Sequence, residues 1–194
     1  YTLNGHFFQL RQPDEFVSRF SIHADLILVL LSPLYLIWDD VRMLIASESV
    51  FLGVGALPTF LIAKRLLRSK FVALFVSAVY LLNPGMQWTD IYDFHGVSLA
   101  IPFLLFAFYF ALVKNWRWYW VFIMLALTTK ENISLIVAMY GFFVLLYFKN
   151  RFHGFITIVI GLTWFITMVT IVMPYFTPSG NLWSCLLYTS PSPR

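Results

Sequence analysis

Ionisable side chains are scarce in this chain, and those able to do chemistry stand in short groups. Asp90, Asp93 and His95 fall within Trp88-Thr-Asp-Ile-Tyr-Asp-Phe-His-Gly96. Two acids and an imidazole this close can bind a cation, take a proton from a hydroxyl or orient a substrate. Asp93 serves equally as a helix cap, since carboxylates are favoured where a helix begins, and Asp90 equally as a solvated loop acid. His95, beside a helix expected from Val97, is placed to hydrogen-bond a phosphate. Lys130 and Glu131 interrupt an otherwise apolar stretch. An ionisable pair in such a setting is costly and marks a functional site unless its members simply satisfy each other or water at a helix break. Lys130, a compact cationic donor, suits a phosphate. A further group, Arg19, His23 and Asp25, lies in Arg-Phe-Ser-Ile-His-Ala-Asp. His23 and Asp25 are too few to define a metal site, so contact with substrate or a lipid headgroup is the reading there. Asp39, Asp40 and Arg42 are expected to cap and flank a helix, with Glu48 inside it. No phosphate-binding glycine loop, nucleophile elbow, zinc motif or dinucleotide fingerprint is present. No cofactor is implied, and a divalent cation is neither required nor excluded.

The elements carrying these residues must sit in lipid. With 60% hydrophobic, 20% aromatic and only 11% charged residues, a water-soluble domain of this length would expose more apolar surface than it could hide. We expect an all-α, polytopic transmembrane bundle built from the apolar runs 45 to 63, 71 to 83, 96 to 113, 118 to 129, 133 to 148 and 155 to 176. Runs 71 to 83 and 118 to 129 reach only about 20 Å at the helical rise, so their polar tips are expected to end below the surface in a cleft; local thinning of the bilayer is the plainer alternative. Residues 86 to 96 read as an external loop, residues 1 to 22 as a loop without regular structure, and Ala24 to Trp38, short and interrupted by Pro33, as an interfacial or re-entrant helix.

Charge sets the orientation. Short basic connections (Lys64, Arg65, Arg68, Lys70; Lys114, Arg117; Lys149, Arg151) alternate with connections that hold Asp90, Asp93 and Glu131, and the other six of the nine carboxylates, Asp14, Glu15, Asp25, Asp39, Asp40 and Glu48, lie upstream on that side. Lys and Arg near span ends stay in the cytoplasm, so the acidic side, and any chemistry, is expected to face outward from the cell membrane. The net charge of +4 then speaks for topology and for membrane lipids as partners, not nucleic acid. The organisation expected is a partial external loop with its interfacial helix (1–40), a bundle of about six spans (41–176), a truncated external loop (177–184), and a tail (185–194) that reads as translated sequencing adapter. On that reading the single cysteine, Cys185, is not native, and thiol chemistry falls away. The chain opens at Tyr1 without an initiator methionine or signal peptide and is read as a piece of a longer protein.

The order of motifs is familiar. Ser21-Ile-His-Ala-Asp25, Ser32-Pro-Leu-Tyr35, Gly55-Ala-Leu-Pro58, Ala63-Lys-Arg-Leu-Leu67, Tyr92-Asp-Phe-His95, Leu99-Ala-Ile-Pro102 and Lys130-Glu131 together resemble a family of prokaryotic membrane proteins, the domain of unknown function 2079, over Gly5 to Phe176. That family is in turn similar to C-type (GT-C) glycosyltransferases, which take a sugar from a lipid-linked phosphate on the extracytoplasmic side. The resemblance implies a helical bundle with an outward-facing cavity and a polyprenyl-phosphate sugar as donor. Lys130 and His95 would contact the donor phosphate and Asp93 would position the acceptor or water, with Glu131, His23, Asp25, Arg19 and Asp90 in substrate contact. Enzymes of that type carry an acceptor-activating aspartate early in the first external loop. Here that region would precede Tyr1, leaving this piece inactive alone. A transporter or lipid-handling protein using the same charged cavity without catalysis is the alternative, and a structural subunit a third.

Overall fold

Basic turns of one design organise the molecule. In the computed structural model, which describes residues 9–11, 16–18, 20, 23–40, 42–92 and 94–176, helix α3 (Ala56–Leu67) turns into α4 (Lys70–Leu81), α6 (Ala100–Leu112) into α7 (Trp116–Leu127), and α8 (Ile133–Leu146) into α9 (Arg151–Thr167). At each turn a cation takes the left-handed conformation, with φ 55° at Arg68, 58° at Lys114 and 52° at Lys149. Each is followed by a small polar residue that starts the next helix. The Ser69 hydroxyl accepts from the Val72 N–H, and Asn150 Oδ1 accepts from the His153 N–H at 3.1 Å. Glycine usually fills such a position, because a side chain there is strained. A cation offsets part of that cost by lying against the negative end of the helix dipole.

The hairpins pack side by side with these turns at one end. Trp116 stacks on His153 at 4.1 Å, and one turn further on the Tyr119 hydroxyl shares a 2.8 Å hydrogen bond with Thr157, so α7 and α9 run parallel. Helix α2 (Arg42–Val54) meets the start of the α6 chain through Glu48 and His95, then Phe51 meets Phe103, so α2 and α6 also run parallel. The tightest seam joins α8 to α9. A methyl group on Gly154 would lie 2.6 Å from Leu145 Cβ, and one on Gly161 2.6 Å from the Ser134 carbonyl oxygen; only glycine lets the two backbones approach this closely. Leu99, Ala107, Tyr119, Ile123, Leu127, Val137 and Val144 form the buried centre.

Helices α2 and α3 make one rod, Arg42–Leu67, of 26 residues. Pro58 offers no N–H to the Val54 carbonyl, and near this break the Tyr80 hydroxyl donates to the Leu52 carbonyl at 3.0 Å. The rod starts where the Arg42 side chain and main-chain N–H both bond Asp40, which holds that exposed carboxyl down at about 2. This rod, Lys70–Trp88 and Arg151–Phe176 are long and apolar enough to cross a membrane. Phe71, Phe75, Leu82 and Trp88 stand outward, and only 6% of the apolar window of Lys70–Trp88 is buried, as suits a helix solvated by lipid. By contrast α7 has 12 residues, about 18 Å of helix against a hydrocarbon core of roughly 30 Å.

The structure corrects the sequence reading in places. Residues 86 to 92 are not loop: after Asn83 the chain re-forms a helix, α5 (Pro84–Tyr92), with Asn83 Oδ1 accepting from the Gly85 N–H at 2.8 Å. Proline is well tolerated in a first helical turn, so Pro84 starts this helix instead of only ending the last. Within 1 to 22, β1 (Gln9–Arg11) pairs antiparallel with β2 (Phe16–Ser18). The stretch after Ala24 is a short helix, α1 (Ile27–Leu31), continued as a 3-10 turn from Ser32 to Leu36. After α9 the helix widens to a π segment, Met168–Val172, before α10 (Met173–Phe176); Met168 packs there on Phe20 and Ala24.

Candidate functional site

At the end opposite the basic turns, chain segments far apart in sequence are bonded together. Helix α7 stops at Thr128 and Thr129, whose hydroxyls fold back onto the Leu125 and Ala126 carbonyls. That leaves the Thr128 carbonyl free to accept the Ile27 N–H at 2.7 Å. A 3-10 turn, Gly96–Leu99, brings the start of α6 into the same place. A methyl group on Gly96 would lie 3.6 Å from the Thr129 carbonyl oxygen and 3.7 Å from Ile27 Cγ2. Residues 23–27, 94–99 and 128–134 thus share one junction.

Carboxylates clasp it. Glu131 accepts the Ala24 N–H at 3.0 Å through Oε2 and pairs with His23 Nδ1 at 3.1 Å through Oε1. Its own carbonyl accepts from the Ser134 hydroxyl. Burial acts to raise the Glu131 pKa, but donation from the His23 ring, from its own N–H and from Ala24 outweighs it, and the carboxyl lies below its ordinary range. It is therefore an anion at neutral pH. On the other side, Glu48 of α2 has 0% exposure and accepts the His95 N–H at 3.1 Å through Oε2. A carboxylate this deep is tolerated only when bonded, and this one fixes the backbone that carries His95.

The sequence-derived residues divide accordingly. His23, Asp25, His95, Lys130 and Glu131 all belong to the joined segments; Asp25 is buried, Lys130 half-buried, and the His95 side chain exposed. Lys130 and Glu131 do not pair with each other: the carboxylate turns to His23, and His23 turns to Glu131 although Asp25 is nearer in sequence. Asp90 is on the last turns of α5, not in a loop. Arg19, Asp93 and the side chain of Asp90 lie outside the described residues. Glu48 is the residue of this junction that sequence reasoning left inside a helix. Its signal was present, an acid within the apolar run 45 to 63, but the partner, a main-chain N–H, has no signature in the sequence.

Among the described residues no three or more His, Cys, Asp or Glu side chains come close enough to hold a metal ion. A groove of about 140 Å³ lies beside the clasp, lined by Ser49, Leu52, Gly53, Tyr80, Leu81, Met86 and Gln87. Its wall includes the neighbour of Glu48 in α2, but not the histidines or Lys130. What the junction offers chemically is a half-buried ammonium, two imidazoles held by carboxylate-anchored backbone, and one carboxylate ionised beside an imidazole.

No curated protein and no solved structure matches the chain. Residues 1–189 match the model of the family described as "Predicted membrane protein (DUF2079)", and the chain belongs to that family.

Proposed function

We propose that the chain is part of a multi-pass membrane glycosyltransferase that draws on a lipid-phosphate-linked sugar at the extracytoplasmic face. The observation that supports this reading is the convergence of Lys130, His95 and His23 at one end of the bundle, with the basic turns at the other. With Lys64, Arg65, Arg68, Lys114, Arg117, Lys149 and Arg151 in the cytoplasm, the junction opens where polyprenyl-phosphate donors are used by enzymes of the GT-C type. Lys130 and His95 take the donor phosphate, and Asp93 orients the acceptor. Cationic donors aimed at the phosphate stabilise the charge that develops as the sugar leaves it. Transfer of label from a polyprenyl-phosphate sugar by the full-length protein is expected to fall about 100-fold on Lys130→Ala, the usual loss for one such donor. Transfer at the wild-type rate would remove that role.

The fully buried Glu48 favours a second reading, a transporter or lipid-handling protein, because acids inside a bundle also mark translocation paths. Accumulation of a polyprenyl-phosphate sugar in sealed vesicles without a covalent product would decide for it.

A further inference from the structure

We propose that His23 and Glu131 form the proton-accepting dyad of this site, with His23 the catalytic base and Glu131 the residue that positions it. The inference rests on the sugar-transfer reading above and deepens it by naming the group that takes the acceptor's proton.

An ionised carboxylate can only accept hydrogen bonds, so the 3.1 Å contact between Glu131 Oε1 and His23 Nδ1 requires the proton on Nδ1. Of the two neutral tautomers this selects the one whose lone pair is on Nε2. Glu131 is itself held by the Ala24 N–H at 3.0 Å, so the carboxylate is fixed to the backbone segment that carries the imidazole. The exposures are unequal in the useful sense: 13% for the Glu131 side chain and 41% for that of His23. The carboxylate is sheltered while the ring meets what enters. A sheltered carboxylate orienting a half-exposed imidazole selects the tautomer and stabilises the imidazolium formed on proton uptake. Lys130 is the next residue to Glu131, so the cation proposed for the phosphate and the carboxylate that positions the base are carried by one turn.

In the step assigned to the dyad, the acceptor hydroxyl oxygen bonds the anomeric carbon as the bond from that carbon to the phosphate oxygen breaks. The electron pair leaves with the lipid phosphate, and the hydroxyl proton passes to His23 Nε2. No oxidant or further reactant is needed.

The test uses the full-length protein in liposomes, with tritiated polyprenyl-phosphate hexoses and pentoses as donors and liposome lipid plus added sugar alcohols as acceptors. His23→Gln, whose amide can still donate to Glu131, is expected to lower kcat about 100-fold or more, the range for loss of a general base, with KM little changed. Added imidazole should restore part of the rate to His23→Ala. Glu131→Gln should lower kcat while Lys130-dependent donor binding persists. Independently of activity, nitrogen NMR of histidine-labelled protein should find the Nδ1-protonated tautomer at His23 in the wild type and its loss in Glu131→Gln. A wild-type protein that transfers sugar while His23→Gln does so at an undiminished rate overturns the dyad and spares the sugar-transfer reading. Absence of transfer from every donor overturns that reading and the dyad's catalytic role with it. An Nε2-protonated His23 overturns the dyad in either case.

Discussion

Glu131 ties acidity to structure in a direction that can be worked out. Its folded pKa lies below the ordinary 4.5, so its bonds to His23 and Ala24 contribute stability that is fully present above the unfolded value and is lost as pH falls through the folded one. The midpoint of thermal unfolding in detergent should therefore drop on acidification below about 4.5 in the wild type, and this component of the drop should be missing from Glu131→Gln. Glu48 poses a different question, since its partner is the backbone of His95. Glu48→Ala takes the acceptor from a partly buried N–H, for which a loss of about 1 kcal/mol is expected, and it frees the segment that presents His95. Glu48→Gln keeps an acceptor oxygen and should lose less, which a paired set of melting curves would resolve. The sequence displayed these side chains as rare charges in apolar surroundings and so pointed to segments that the fold brings together. It could not give their partners: the bond between His23 and Glu131 spans 108 positions, and short-range patterns carry no record of such a contact.

Helices differ in how their glycines are used, and substitution should separate them. Gly53 has nothing within 4 Å of an added methyl group, so Gly53→Ala should be neutral or stabilise by up to about 1 kcal/mol through the reduced entropy of the unfolded chain. Gly161→Ala drives a methyl group into the Ser134 carbonyl, and forcing atoms into a packed seam costs about 1–3 kcal/mol. Thermal aggregation of the detergent-solubilised variants would rank them. The basic turns invite the reverse experiment. Lys114→Gly relieves left-handed strain worth about 1–2 kcal/mol while giving up the attraction of a cation for the helix end, so a net gain in stability is expected. Apolar periodicity and the Pro and Gly breaks made the hairpins legible, but the repeated turn was not: Arg68-Ser69, Lys114-Asn115 and Lys149-Asn150 share a backbone shape more than a sequence. Helix α5 was missed because Asn83-Pro84-Gly85 stops one helix and starts another with the same residues.

The segregation of charge to opposite ends of the bundle makes orientation testable. With Cys185 replaced by serine, a single cysteine at Arg65 should react with an impermeant maleimide only in inverted vesicles, and one at His95 only in intact cells; the opposite pattern would reverse the proposed arrangement and take the proposed external site with it. The bundle and its polar end were both within reach of the sequence, because lipid solvation imposes long apolar runs and charge asymmetry that survive without knowledge of contacts. The identity of what binds is not encoded in either. The junction also dictates an order of events during synthesis. Ala24 and His23 leave the ribosome more than a hundred positions before the carboxylate that secures them, whereas His95 finds Glu48 only 47 positions behind it. A nascent chain arrested short of Glu131 should thus already hold the second clasp while His23 and Ala24 still lack theirs, and a crosslink between 23 and 131 would mark the moment when the first clasp shuts.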